Sequence, residues 1–120
     1  MEIIHHAENY KPTKDSVVTI GTFDGVHVGH KEILNDLIRQ AKRKNRVSIV
    51  FTLYPHPRMV LNKDSDIKLI NTIDERAELM NDLGLDYLVI QPFDKEFSRI
   101  SAFEFVRDYL IEKLQMKKLI

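Results

Sequence analysis

Two histidines three residues apart, His27 and His30, stand in a glycine-punctuated run, Thr22–Phe23–Asp24–Gly25–Val26–His27–Val28–Gly29–His30. The run directly follows a β-branched segment, Val17–Gly21 (VVTIG), and directly precedes a segment of helical periodicity. At three-residue spacing across one helical turn, both imidazoles can face one ligand. Exposed N–H groups at a helix start attract an anion, above all a phosphate. Imidazoles there suit the negative charge that develops in phosphoryl or nucleotidyl transfer. A lone histidine at such a place is ordinarily a polar loop or cap residue. Two of them, framed by Gly21, Gly25 and Gly29, point to a site, and Gly25 and Gly29 allow close approach of backbone to ligand.

Other site chemistries fit less well. A metal centre would have only His27 and His30 as ligands, with no obvious third beyond the flexible candidates Asp24 and His56, so no metal ligand is assigned. Neither a G-x-x-x-x-G-K-[ST] loop nor G-x-G-x-x-G occurs, and the histidines stand where a phosphate cradle usually has its lysine.

The elements that must position this run alternate. The first strand is Val17–Gly21. From His30 to about Lys44, Ile33, Leu34, Leu37, Ile38 and Ala41 recur at helical spacing, and Lys42, Arg43 and Lys44 suit the negative end of that helix. Arg46 to Thr52 (RVSIVFT) reads as a second strand, followed by a proline-rich loop (YPHPRMV). Thr72 and Glu75 have capping-box spacing for a helix that runs to Leu83 and stops at Gly84. Leu88–Ile90 is a third strand. Ser101 and Glu104 repeat the capping-box spacing before a helix with Phe103, Val106, Leu110 and Leu114 as its apolar stripe. Met116–Ile120 begins a fourth strand, and residues 2–5 read as an added edge strand. Parallel neighbours need crossover helices, so this alternation predicts an α/β fold, a Rossmann-like parallel sheet in three layers. In such sheets ligands gather at the carboxyl ends of strands, where Thr22–His30 sits.

Composition bounds the partners. The 120 residues hold 18 basic and 18 acidic side chains, a net charge of zero, which gives no electrostatic reason for a nucleic-acid or membrane partner. With 43% apolar and 30% charged residues the chain is an ordinary single globular domain. There is no cysteine, hence no disulfide framework or thiolate chemistry. The N-terminus lacks the pattern of a signal peptide, and no apolar run is long enough to span a membrane. A cytoplasmic setting is expected.

The run TIGTFDGVHVGH resembles the H-x-G-H signature of the nucleotidyltransferase superfamily, which implies a HUP-type α/β/α fold. With FTLYPHPRMVL and ERAELMNDLGLDYLVIQPFDKEFSRISAFEFV it looks, more narrowly, like the FMN adenylyltransferase module of the bacterial bifunctional riboflavin kinase/FAD synthetase family. The resemblance implies transfer of AMP from ATP to FMN, giving FAD and pyrophosphate, with Mg²⁺ accompanying ATP. It implies that His27 and His30 contact the ATP phosphates and stabilise the transferring phosphorus. It also implies that Gly21, Thr22, Phe23, Asp24, Gly25 and Gly29 line the nucleotide pocket and that Pro55, His56 and Pro57 place the flavin. GTFD-x-x-H-x-G-H also suits a cytidylyltransferase or a pantetheine-phosphate adenylyltransferase, so the PHP loop carries that distinction.

The family's second nucleotide motif, its later glycine-rich segment and its kinase barrel do not occur in these residues. Residues 1–120 are therefore expected to be the N-terminal part of the adenylyltransferase domain. As a fragment, the chain is expected to be inactive alone, to keep at most nucleotide binding, and to self-associate through an open strand at Lys117–Ile120. Elsewhere the bland readings are preferred. Arg58 reads as a loop charge, and Glu75 and Arg76 as capping and surface charge. Phe93 and Phe97 read as core packing rather than a flavin platform. His5 and His6, adjacent on a strand, point to opposite faces and receive no function.

Overall fold

The computed structural model of the chain describes residues 1–23, 28–55 and 73–120, of residues 28 and 29 the backbone only. Five parallel strands form one sheet: β1 (Glu2–His5), β2 (Ser16–Ile20), β3 (Val47–Tyr54), β4 (Tyr87–Pro92) and β5 (Met116–Leu119), in the order β1-β4-β3-β2-β5. Helix α1 (Val28–Arg43) connects β2 to β3, and α2 (Ile73–Leu83) precedes β4. Helix α3 begins with one α-helical turn (Ala102–Glu104) and continues as a π-helix (Phe105–Lys113) into β5.

The strand alternation sorts the core into two layers. Val17, Val50, Leu88 and Ile90 pack on one face against Leu34, Leu37 and Ala41 of α1 and Ala77 and Met80 of α2. Val18, Ile49, Phe51 and Val89 pack on the other against Leu110 and Leu114 of α3 and the 3₁₀ turn Ala7–Asn9. Right-handed crossovers require this arrangement. The chain steps from β2 to β3 to β4 in one direction with helices on one face, then reverses across the sheet to β5, which sends α3 to the opposite face. The expected three-layer α/β architecture is the observed one, and residues 2–5 are the expected edge strand, paired to β4.

Local chemistry sets the boundaries. Asn45 takes a left-handed φ of 55° and closes α1, with Arg46 donating to Ala41 O at 2.8 Å and Asn45 to Lys42 O at 3.1 Å. Gly84 closes α2 in the same way at φ 94°. Ser101 caps α3, accepting from the Glu104 amide at 3.1 Å and donating to the Glu104 carboxylate at 2.9 Å. Thr72, the expected cap of α2, lies outside the described residues.

Three sequence expectations are corrected. In α3 the stripe Phe103, Val106, Leu110, Leu114 holds only at its last two positions, since Phe103 is 70% exposed and Val106 39%. A π-helix bonds i to i+5 and takes more residues per turn than the 3.6 of an α-helix, so its inner face recurs at four- and five-residue steps. Counting back from Leu110 therefore reaches Phe105, which packs on the Phe51 ring at 5.4 Å. Ile33, placed with the core residues of α1, is exposed and faces a crevice described below. Arg76, read as surface charge, is buried at 2% exposure.

Candidate functional site

The chain path creates one switch point. From β2 it leaves toward β3 on one side, while β5 docks on the other side, so the connection from β2 turns away from β5 at the carboxyl ends of the two strands. This is where an open α/β sheet holds its ligand. A cavity of about 390 Å³ lies there, lined by Thr19, Ile20, Gly21, Thr22, Phe23, His30, Ile33 and Ile120. Its floor is tied together: Thr19 Oγ1 donates to Ile120 O at 3.0 Å and the Ile120 amide to Val18 O at 2.9 Å.

Of the residues singled out from sequence, the structure brings Gly21, Thr22, Phe23 and His30 to this crevice. Gly21 ends β2 and donates to Phe51 O of β3 at 3.1 Å. Phe23 turns the chain with a left-handed φ of 52°, unusual for a bulky residue. Its ring folds back over Gly21 and meets the His30 ring edge-on, centroids 5.3 Å apart and planes at 68°. His30 is the third residue of α1, half-buried, in the first turn, at the positive end of the helix dipole. The helix starts at Val28, two residues before the sequence expectation, so Gly29 is helical backbone. Asp24, Gly25 and His27 lie outside the described residues, as do His56 and Pro57. Pro55 is exposed at the carboxyl end of β3, following a cis bond from Tyr54.

Arg76 was missed. Its Nη1 donates to the Thr22 carbonyl at 2.7 Å, linking α2 to the wall of the crevice. The signal was present in the sequence: Ile73, Arg76, Ala77 and Met80 follow i, i+3, i+4, i+7, which puts the arginine inside the apolar stripe of α2.

A second cavity, about 330 Å³, opens at the carboxyl ends of β1 and β4 and includes His6, Gln91, Asp94, Phe97, Tyr109 and Lys113 in its lining. Phe93 is buried and packs on Phe97 at 5.8 Å, which agrees with the packing expectation, while Phe97 and Tyr109, 5.3 Å apart, also give this cavity an aromatic wall. Desolvation pushes the Tyr109 phenol upward, with Glu8, Asp108, Asp94 and Glu96 adding to the shift. Among the described residues no three His, Cys, Asp or Glu side chains converge as a metal site, and no helix is long and apolar enough to cross a membrane.

Comparison with known proteins decides the family. The family model described as FAD synthetase matches residues 9–120. The chain belongs to the FAD synthetase family. Among curated relatives named bifunctional riboflavin kinase/FMN adenylyltransferase, that of Buchnera aphidicola subsp. Schizaphis graminum is 32% identical across 100% of this chain and 39% of its own length. That of Escherichia coli K12 is 30% identical across 93% of this chain and 36% of its own. That of Bacillus subtilis is 32% identical across 89% of this chain and 34% of its own. The chain thus spans between a third and two-fifths of the length of these FAD synthetase relatives. In fold, a crystal structure titled macrolide-efflux protein, from Streptococcus pneumoniae, aligns over 98% of this chain and 40% of its own with a TM-score of 0.82. At 24% identity that likeness concerns the fold alone.

Proposed function

We propose that this chain is the N-terminal part of an FMN adenylyltransferase domain that transfers AMP from ATP to FMN, forming FAD and pyrophosphate. The observation that carries the reading is His30 in the first turn of α1, bordering the crevice at the β2/β5 switch point, in a member of the FAD synthetase family. In this reading an oxygen of the FMN phosphate attacks the α-phosphorus of ATP, the bond to the β-phosphate oxygen breaks, and pyrophosphate leaves with its electron pair. The FMN phosphate is already ionised near neutral pH, so no strong base is needed, and catalysis rests on in-line positioning and charge stabilisation. His30 and His27 meet the charge on the transferring phosphoryl group, and Mg²⁺ arrives with the triphosphate as part of the substrate. Gly21, Thr22 and Phe23, with Asp24, Gly25 and Gly29, line the nucleotide side.

The acceptor is proposed to lie further along the same rim, toward Pro55, His56 and Pro57. The aromatic-walled cavity at β4 supports this, two strand spacings or roughly 10 Å from β2 along the carboxyl edge. The same proposal gives the parent protein a riboflavin kinase activity, in keeping with the relatives' names, and a cytoplasmic setting. It also gives the 120-residue chain a tendency to self-associate through β5, which forms one edge of the sheet with Leu119 50% exposed.

The test is product analysis with the protein that carries this chain, given ATP, Mg²⁺ and either FMN, a phospho-alcohol or pantetheine phosphate. FAD and equimolar pyrophosphate from FMN alone is the expected result. Transfer to another acceptor, or to none, overturns the reading.

A further inference from the structure

Arg76 is the one buried arginine among the described residues, at 2% exposure, and it lies outside the crevice lining. Burying a guanidinium is costly unless hydrogen bonds replace its water. Among the described residues one partner does so, the Thr22 carbonyl, which accepts from Nη1 at 2.7 Å, while Nε is buried without a hydrogen bond. A cationic side chain held so deep for one main-chain oxygen points to what that oxygen controls.

The Thr22 carbonyl belongs to the peptide plane that joins Thr22 to Phe23. Rotation of Phe23 against that plane is its φ, and φ here is 52°, in the left-handed region. For a bulky L-residue this conformation costs roughly 1–2 kcal/mol and persists only where its surroundings over-determine it. Arg76 fixes the plane on the carbonyl side. Gly21, without a side chain, leaves room for the ring on the other. The ring of Phe23 then stands edge-on against His30.

We infer that Arg76 is a positioning residue for the proposed transfer: by holding the Thr22 carbonyl it sets the left-handed turn at Phe23, which in turn orients the His30 imidazole in the crevice. The relay runs from α2 through Thr22 and Phe23 to His30, and Arg76 itself touches no reacting atom. The inference rests on the adenylyl-transfer reading for its catalytic consequence, and on geometry alone for the coupling between Arg76 and His30.

Two substitutions grade the contact. Arg76→Met keeps much of the length and apolar stem within the α2 stripe and removes the donor. Arg76→Lys keeps a charge and a donor but loses the planar fork. In the protein that carries this chain, kcat for FAD formation should fall about 10²-fold in Arg76→Met, as expected for a small misplacement of a reacting group, with the Michaelis constants for ATP and FMN little changed. Arg76→Lys should fall between. The structural readout is the NMR position of the His30 ring protons, which the Phe23 ring displaces. They should move toward the values seen in Phe23→Leu, fully in Arg76→Met and partly in Arg76→Lys. Should Arg76→Met fail to fold, Arg76→Lys decides alone. A folded variant of either kind with wild-type His30 resonances and wild-type kcat overturns the relay and leaves Arg76 a structural tie. If the wild type makes no FAD, the reading of function falls, and the His30 resonances still report whether the relay exists.

Discussion

A Cβ placed on Gly21 would lie 2.7 Å from Cε2 of Phe23. The two residues therefore form one device: the glycine is the seat and the phenylalanine the cover, with the His30 ring edge-on to it. Phe23 is buried at 6% exposure and its backbone turn is left-handed, so the ring has little freedom to give way.

Gly21→Ala should therefore destabilise the fold by about 1–3 kcal/mol, the usual cost of overpacking. It should also slow FAD formation, because the displaced ring no longer backs His30. Adding Phe23→Leu should recover most of the stability without recovering the rate. Urea unfolding of the three variants checks this, and equal stability of Gly21→Ala and wild type would count against the seat-and-cover geometry.

His27→Ala and His30→Ala should each lower the rate of FAD formation by roughly 10²–10³, the loss typical of one donor to a developing anion. Binding of ATP should weaken less than the rate falls. Steady-state assay at saturating substrate is the check, and near-normal turnover in both variants would remove the histidines from the chemistry.

The proposed function puts His56 on the acceptor side. His56→Ala should raise the Michaelis constant for FMN and leave that for ATP in place. The opposite pattern would move the Pro55–Pro57 loop to the nucleotide.

How much of this was legible in the sequence depends on whether the signal was local. Strand and helix alternation, the Ser101–Glu104 cap and the glycine stop at Gly84 are local chemistry, and the structure bears them out. The position of Gly21–Phe23 and His30 at a strand end was legible for the same reason. Arg76 was legible only as a position in the apolar stripe Ile73–Arg76–Ala77–Met80, and capping logic, which favours a charge near a helix start, pointed the other way until the burial of α2 settled it. The inner face of α3 was lost to a change of helical period, since Phe103 and Val106 lie on the stripe only if 3.6 residues per turn hold back from Leu110, whereas the helix from Phe105 to Lys113 is wider. The return of β5 to the side of β2 is a long-range pairing that no local pattern encodes.

The Tyr10 hydroxyl is buried, without a hydrogen-bond partner among the described residues, and beside the Tyr87 ring at 5.0 Å. Burial, reinforced by Tyr87, Asp86 and Glu2, pushes its pKa up to about 12 from an ordinary 10.0. In the unfolded chain the phenol ionises near 10, whereas in the folded chain it stays neutral until about 12. The unfolded state thus holds fewer protons in that window, and stability falls as pH rises through it. The contribution is fully present below pH 10 and lost by about 12. Tyr10→Phe should remove this slope and, by deleting an unpartnered buried hydroxyl, cost little near neutral pH. Unfolding free energies of the two proteins from pH 9 upward give the comparison, and parallel curves would refute the assignment.

The central claim is that nucleotide occupies the crevice at the carboxyl ends of β2 and β5, with His30 at its edge. Titration of the isotopically labelled 120-residue chain with ATP and Mg²⁺, followed by amide and imidazole NMR, addresses it most directly. The account predicts shifts concentrated at Thr19–Phe23, His30 and Ile120, and much weaker ones in His30→Ala. Shifts gathered instead around Gln91, Tyr109 and Lys113 at the β1/β4 cavity, or none at saturating nucleotide, would contradict it.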